Sequence, residues 1–155
     1  MDKTVKCSVS LLLLFCLTAF RCNNAFTAEI KDSESASHAD TAAFYDIVDT
    51  YEYPGFSVIQ FNLAVLSHYS YMLISNQEAL VVDPGRDVFK YMDIAKEKNA
   101  KIKGVLLSHS HADFIAGHTE LANILKCPVY ISEKANAGYT HEPLKDGSVI
   151  TIGEA

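Results

Sequence analysis

Leu106-Leu107-Ser108-His109-Ser110-His111-Ala112-Asp113-Phe114-Ile115-Ala116-Gly117-His118 opens as an apolar run and closes on helical spacing, with two histidines and an aspartate between. Residues two apart on an extended segment point the same way. His109, His111 and Asp113 can therefore converge from one side of a strand exit. Neutral imidazoles and a carboxylate suit a first-row divalent metal. The end of a buried strand is also where open α/β sheets place their chemistry. The stretch predicts a metal site with His109, His111 and Asp113 as ligands and Asp113 as the catalytic candidate. Asp113 can cap the following helix as well.

The rest of the chain bounds what that site can belong to. At 155 residues there is room for one domain, and 49% apolar against 21% charged residues is ordinary for a globular core. A formal charge of −6 argues against nucleic acid as a partner, since phosphate binding needs a basic face. Cys7, Cys16 and Cys22 crowd the N-terminus and leave Cys127 alone in the folded part, so no disulfide framework is expected. Cys127, directly before Pro128, reads as a small buried side chain.

Lys3 and Lys6 precede an apolar stretch from Val9 to Phe20, too short to span a bilayer and followed by small and polar residues. This is the pattern of a secretory signal over residues 1–28, with cleavage after Ala25 or Ala28. Export to a periplasmic or extracellular compartment is expected, in preference to a retained membrane anchor. Residues 29–54 follow as an acidic linker and lead-in, with Lys31 as the lone base and His38 as a bystander. Aromatics from Phe44 onward mark returning order, and Gly55 is read as opening a domain over 55–155.

Within that domain strands are expected over 56–61, 68–74 and 79–82, the last a continuous apolar run stopped by Asp83-Pro84-Gly85. Val88, Tyr91, Met92 and Ala95 form a helical stripe. Residues 102–107 are the next buried strand. A second helix after Asp113 carries Phe114, His118, Leu121 and Leu125 on one face until Pro128 halts it. Strands over 128–131 and 148–152 complete an α/β arrangement with mixed pairing, the latter after a Lys145-Asp146-Gly147 turn. Asp83 can orient a ligand histidine or merely end its strand. His118, on an apolar stripe, suits packing or a place behind the ligands rather than ligation. His68, among Tyr69, Tyr71 and Met72, reads as a core residue. Tyr139 and His141 line either a substrate entrance or a surface loop.

Val82-Asp83-Pro84-Gly85 and the run from Ser108 to Gly117 resemble the metallo-β-lactamase fold superfamily, an αββα sandwich of two similar halves. In most of its hydrolytic members a histidine follows the aspartate and completes a second metal site, where this chain has Phe114, which offers no donor atom. His-x-His-Ala-Asp-Phe followed by x-x-Gly-His-x-Glu-Leu, with Cys-Pro-Val-Tyr-Ile and Glu-Pro-Leu-Lys-Asp-Gly further on, resembles the branch fused to rhodanese domains, similar to persulfide dioxygenases.

That resemblance implies one divalent metal, Fe(II) by preference and Zn(II) as the alternative. With iron the activity implied is oxidation of a thiol persulfide to sulfite. With zinc it is hydrolysis of a thioester in the manner of glyoxalase II. The resemblance also implies a further histidine and a further acidic ligand from segments beyond residue 155. The expectation is therefore an N-terminal half that does not turn over by itself. A rhodanese domain, a missing C-terminal half or a second copy are the partners expected. A non-catalytic metal-binding fragment is the remaining reading.

Overall fold

A computed structural model describes residues 45–63, 68–111 and 115–155. The signal stretch, most of the acidic linker and the candidate ligand Asp113 lie outside the described residues, as does Phe114.

Seven strands form one mixed sheet in sequential order. β1 (Tyr45–Tyr53), β2 (Phe56–Leu63), β3 (His68–Ser75) and β4 (Glu78–Val82) run antiparallel as a meander. β5 (Lys101–Leu106), β6 (Val129–Ser132) and β7 (Glu142–Leu144) continue it in parallel from β4. α1 (Phe89–Glu97) links β4 to β5, and α2 (His118–Leu125) links β5 to β6. Both crossovers join neighbouring parallel strands in the same direction, so both helices fall on one face of the sheet.

β4 shows why a continuous apolar run was required. Ala79 and Val81 point into a core with α1 and α2, built with Ile59, Phe61, Met72, Tyr91 and Leu121. Leu80 and Val82 point the other way, into a second cluster with Leu73, Leu106, Ile152 and Ala155. A strand covered on both faces has no polar side to present. The second face is buried although no described helix covers it, because residues 150–155 lie across it. Gly153 at φ +53° turns the chain there, its amide donating to Glu78 Oε2 at 2.8 Å, and Glu154 N donates to Ser75 Oγ at 3.0 Å. A Cβ at Gly153 would stand 2.2 Å from the Ser75 carbonyl oxygen.

Three boundaries differ from the sequence reading. The sheet opens at Tyr45, before Gly55, because the acidic lead-in pairs as edge strand β1 along β2, with a bulge between Ile47 and Asp49. Charged residues and a bulge are what an exposed edge carries. The strand expected over 148–152 is instead β7 at Glu142–Leu144, with Pro143 tolerated because β7 is the other edge. The second helix begins at His118, not directly after Asp113, because the Gly117 amide is held by the Pro84 carbonyl at 2.9 Å.

Candidate metal centre

The site is assembled from the exits of β4 and β5. The strand ladder continues one step past β4, with Asp83 N donating to the Leu106 carbonyl at 2.9 Å. Asp83 then takes φ +49°, a left-handed conformation that aspartate accepts more readily than most residues. This turn is secured from several sides. The Asp83 carbonyl accepts from His68 Nε2 at 3.0 Å. The Gly85 amide donates to the fully buried Tyr91 hydroxyl at 3.0 Å, and that hydroxyl shares a further bond with Ser70 Oγ at 2.6 Å. Gly117 packs so closely that a Cβ there would meet the Gly85 carbonyl oxygen at 2.2 Å. Asp83, Pro84 and Gly85 are all buried as a result.

The Asp83 carboxylate faces β5. Oδ1 accepts from Ser108 N at 2.8 Å and from His111 Nε2 at 2.9 Å, and Oδ2 accepts from Ser108 Oγ at 2.5 Å. Ser108 Oγ also lies 2.9 Å from His109 Nδ1. A hydroxyl has one proton. Because Ser108 gives that proton to Asp83, it must accept from His109, whose Nδ1 is therefore the protonated nitrogen. The chain His109–Ser108–Asp83–His111 thus fixes both tautomers. His109 would ligate through Nε2, and His111, protonated at Nε2, through Nδ1. A carboxylate that orients a ligand imidazole in this way also makes it more basic.

Burial alone would push the Asp83 carboxyl up, but the bonds from His111 and Ser108 outweigh it and hold the group below its ordinary value. Asp83 is therefore an anion in the fold, with both oxygens committed. One potential ligand atom from each of Asp83, His109 and His111 lies within 4.8 Å of the others. Two imidazoles presented by tautomer, backed by a buried anion, fit a divalent first-row cation. Asp83 directly follows β4, and its Oδ1 accepts a hydrogen bond from His111. Burial is uneven, since the Asp83 and His111 side chains are 8% and 4% exposed while His109 stands open to solvent.

His118 is placed differently. Its ring tilts against Tyr139 with centroids 4.7 Å apart, and it shares a cavity of about 160 Å³ with Ser110, His111 and Tyr139. Burial first, and the neighbouring His111 second, lower its basicity below the ordinary histidine value. Neither ring nitrogen has a hydrogen-bond partner among the described residues, although both are shielded from solvent. Such an orphan costs about 1–3 kcal/mol. His141 Nδ1 bonds its neighbour's carbonyl at Tyr139, 2.7 Å away, and takes no part in the donor cluster.

Ser108, Tyr91 and Gly117 were not singled out as site residues by the sequence. A tyrosine in the middle of an apolar helical stripe was a usable signal, since a buried hydroxyl needs a partner.

The sequence pattern of the metallo-beta-lactamase superfamily matches residues 63–151. The hydroxyacylglutathione hydrolase of Methylobacillus flagellatus is 29% identical over 90 residues, 58% of this chain and 36% of that protein. The enzyme of the same name from Bdellovibrio bacteriovorus is 33% identical over 81 residues, 51% of this chain and 32% of that protein. The chain thus matches about a third of the length of these curated relatives. The crystal structure of ETHE1 from Myxococcus xanthus superposes with a TM-score of 0.57 at 21% identity, covering 61% of this chain and 43% of that one, and so shares the fold. With the family pattern matched over more than half its length, and with the sheet and histidine loop in place, the chain belongs to the metallo-β-lactamase superfamily.

Proposed function

We propose that this chain carries the metal-binding loop of an enzyme that oxidises a thiol persulfide, glutathione persulfide being the natural test substrate, with a single non-haem iron. The observation that supports it is the donor set. Ser108 and Asp83 engage His109 Nδ1 and His111 Nε2, which assigns His109 Nε2 and His111 Nδ1 as the proposed ligand atoms, and Phe114 occupies the sequence position at which hydrolytic relatives have the histidine of a second site. Asp113 is the proposed carboxylate ligand. When bound, Fe(II) in a two-histidine, one-carboxylate environment supplies oxygen chemistry at open positions. The chain's part is to present the imidazoles in fixed tautomers and to keep Asp83 ionised behind them.

A second reading has its own support. The curated relatives matched are named hydroxyacylglutathione hydrolases, and the same donors accept Zn(II), which would activate water against a thioester. Anaerobic purification of the gene product carrying this chain separates the two. The first reading expects about one equivalent of iron, oxygen uptake with glutathione persulfide, and sulfite as product. Two tightly held metals with thioester hydrolysis and no oxygen uptake would replace it with the second.

A further inference from the structure

His68 opens β3, two strands away from the histidine loop, and is half-buried. Its Nε2 lies 3.0 Å from the Asp83 carbonyl oxygen. A carbonyl can only accept, so Nε2 carries the proton and donates. The His68 ring stands perpendicular to that of His111, with centroids 5.2 Å apart and planes at 90°. One side chain thus touches both members of the Asp83–His111 pair, the backbone of the first and the ring of the second.

The His111 ring needs such a contact. Its bond from Nε2 to Asp83 Oδ1 sets where that nitrogen lies. The tilt of the ring plane, and with it the direction of the lone pair on Nδ1, depends on what presses against the ring. Two imidazoles lie against it. The His109 ring is 4.1 Å away between centroids, at 52°, but His109 is itself open to solvent. His68 is set in the sheet, paired with Leu63 across the β2–β3 ladder and bonded to Asp83. The fixed wall is His68.

The residue type supports this. Phenylalanine would offer the ring without the donor, and glutamine the donor without the ring. Histidine joins the two. Ligation does not account for His68, since it lies outside the donor cluster of Asp83, His109 and His111 and its Nε2 is committed to a carbonyl.

We propose that His68 is a positioning residue: anchored on the Asp83 carbonyl, its ring sets the tilt at which His111 presents Nδ1 to the metal. The proposal rests on His111 being a metal ligand, as read above, and holds for iron and zinc alike.

The gene product carrying this chain tests it, with Zn(II) for affinity and Co(II) for spectroscopy. In the Co(II) form the protons on His109 Nδ1 and His111 Nε2 should give two solvent-exchangeable, hyperfine-shifted NMR signals. The buried His111 proton should be the slower to exchange. His68→Gln should weaken Zn(II) binding about tenfold, the upper end of what one aromatic pair supplies, and move the His111 signal alone. Its thermal melt should match the wild type, because the bond to Asp83 survives. His68→Phe keeps the ring and should bring affinity back to within about threefold of wild type, with the His111 signal restored. Wild-type affinity and an unmoved His111 signal in His68→Gln would overturn the proposal and leave His68 as a support of the Asp83 turn. Both signals moving together would overturn it as well, as would a folded His68→Phe that falls as far as His68→Gln. Should His68→Phe not fold, His68→Gln decides alone. Wild-type affinity in His111→Ala would overturn the proposal together with the reading of the centre, whereas the His68 outcomes leave that reading standing.

Discussion

Asp83 and His109 stand at the ends of adjacent parallel strands, β4 and β5, and differ in almost every physical respect. The β4 exit is buried, left-handed at Asp83, and bonded through its amide, its carbonyl and both carboxylate oxygens. The β5 exit is open to solvent from Ser108 to Ser110, and both bonds that hold Ser108 in place run back to Asp83. The two histidines are thus held by the exit that carries neither of them. The candidate metal site is open at His109, and its hydrogen-bonded support comes from the neighbouring strand end.

Asp83→Asn cuts that dependence at its source and should have the largest effect. The amide cannot accept at both positions, so Ser108 and His111 lose their shared anion, and metal affinity should fall by about 10–100-fold while the sheet still forms. Isothermal titration with Zn(II), beside circular dichroism, checks both halves. An unchanged affinity would mean that the β5 exit orders itself.

Ser108→Ala removes the hydroxyl that joins Asp83 Oδ2 to His109 Nδ1 and leaves the Ser108 amide and His111 bonds to Asp83 Oδ1 intact. A loss of about tenfold in metal affinity is expected, toward the lower end of the range for such outer partners. Nitrogen NMR of the His109 ring should show Nδ1 protonation becoming mixed. If the tautomer stays fixed, the hydroxyl relay is not what sets it.

The smallest effect separates Asp83 from His118 by pH in the metal-free protein. Asp83 has its acidity strengthened by folding, so its contribution is complete above the ordinary value of 3.8 and is lost as pH falls through the lower folded value. His118 has its basicity weakened by folding, so below the ordinary 6.5 the unfolded chain takes up the proton first and stability declines there. Thermal melts from pH 7.5 to 5 should therefore decline less steeply for His118→Gln than for the wild type. Parallel profiles would remove His118 from the account.

Much of this was legible in the chain. Ala79-Leu80-Val81-Val82 and Val105-Leu106-Leu107 announce strands covered on both faces, and the histidine loop follows from spacing alone. What escaped depends on partners distant in sequence. Nothing local in Tyr45–Tyr53 tells a solvated acidic segment from an edge strand, because β1 is held by backbone pairing with β2. Residues 148–152 are apolar enough for a strand, yet they serve as cover for a sheet face, stopped by the turn at Gly153. The strand at Glu142–Leu144 has no apolar alternation to announce it, and Pro143 is accommodated by its edge position. The role of Ser108 was hidden for a similar reason, since it becomes evident only once Asp83 is seen across the strand gap.

The close approach of Gly117 to Gly85 makes two loops, far apart in the chain, into one mechanical joint. The Gly117 amide is held by Pro84, and the Gly85 amide by Tyr91. Neither proton can reach water unless the joint parts, so these two amides should exchange with deuterium in step and slowly. Amides of the open Ser108–Ser110 stretch should exchange ahead of them, except the one held by Asp83. Their shared protection would give the free energy of opening this joint, with no metal or substrate present.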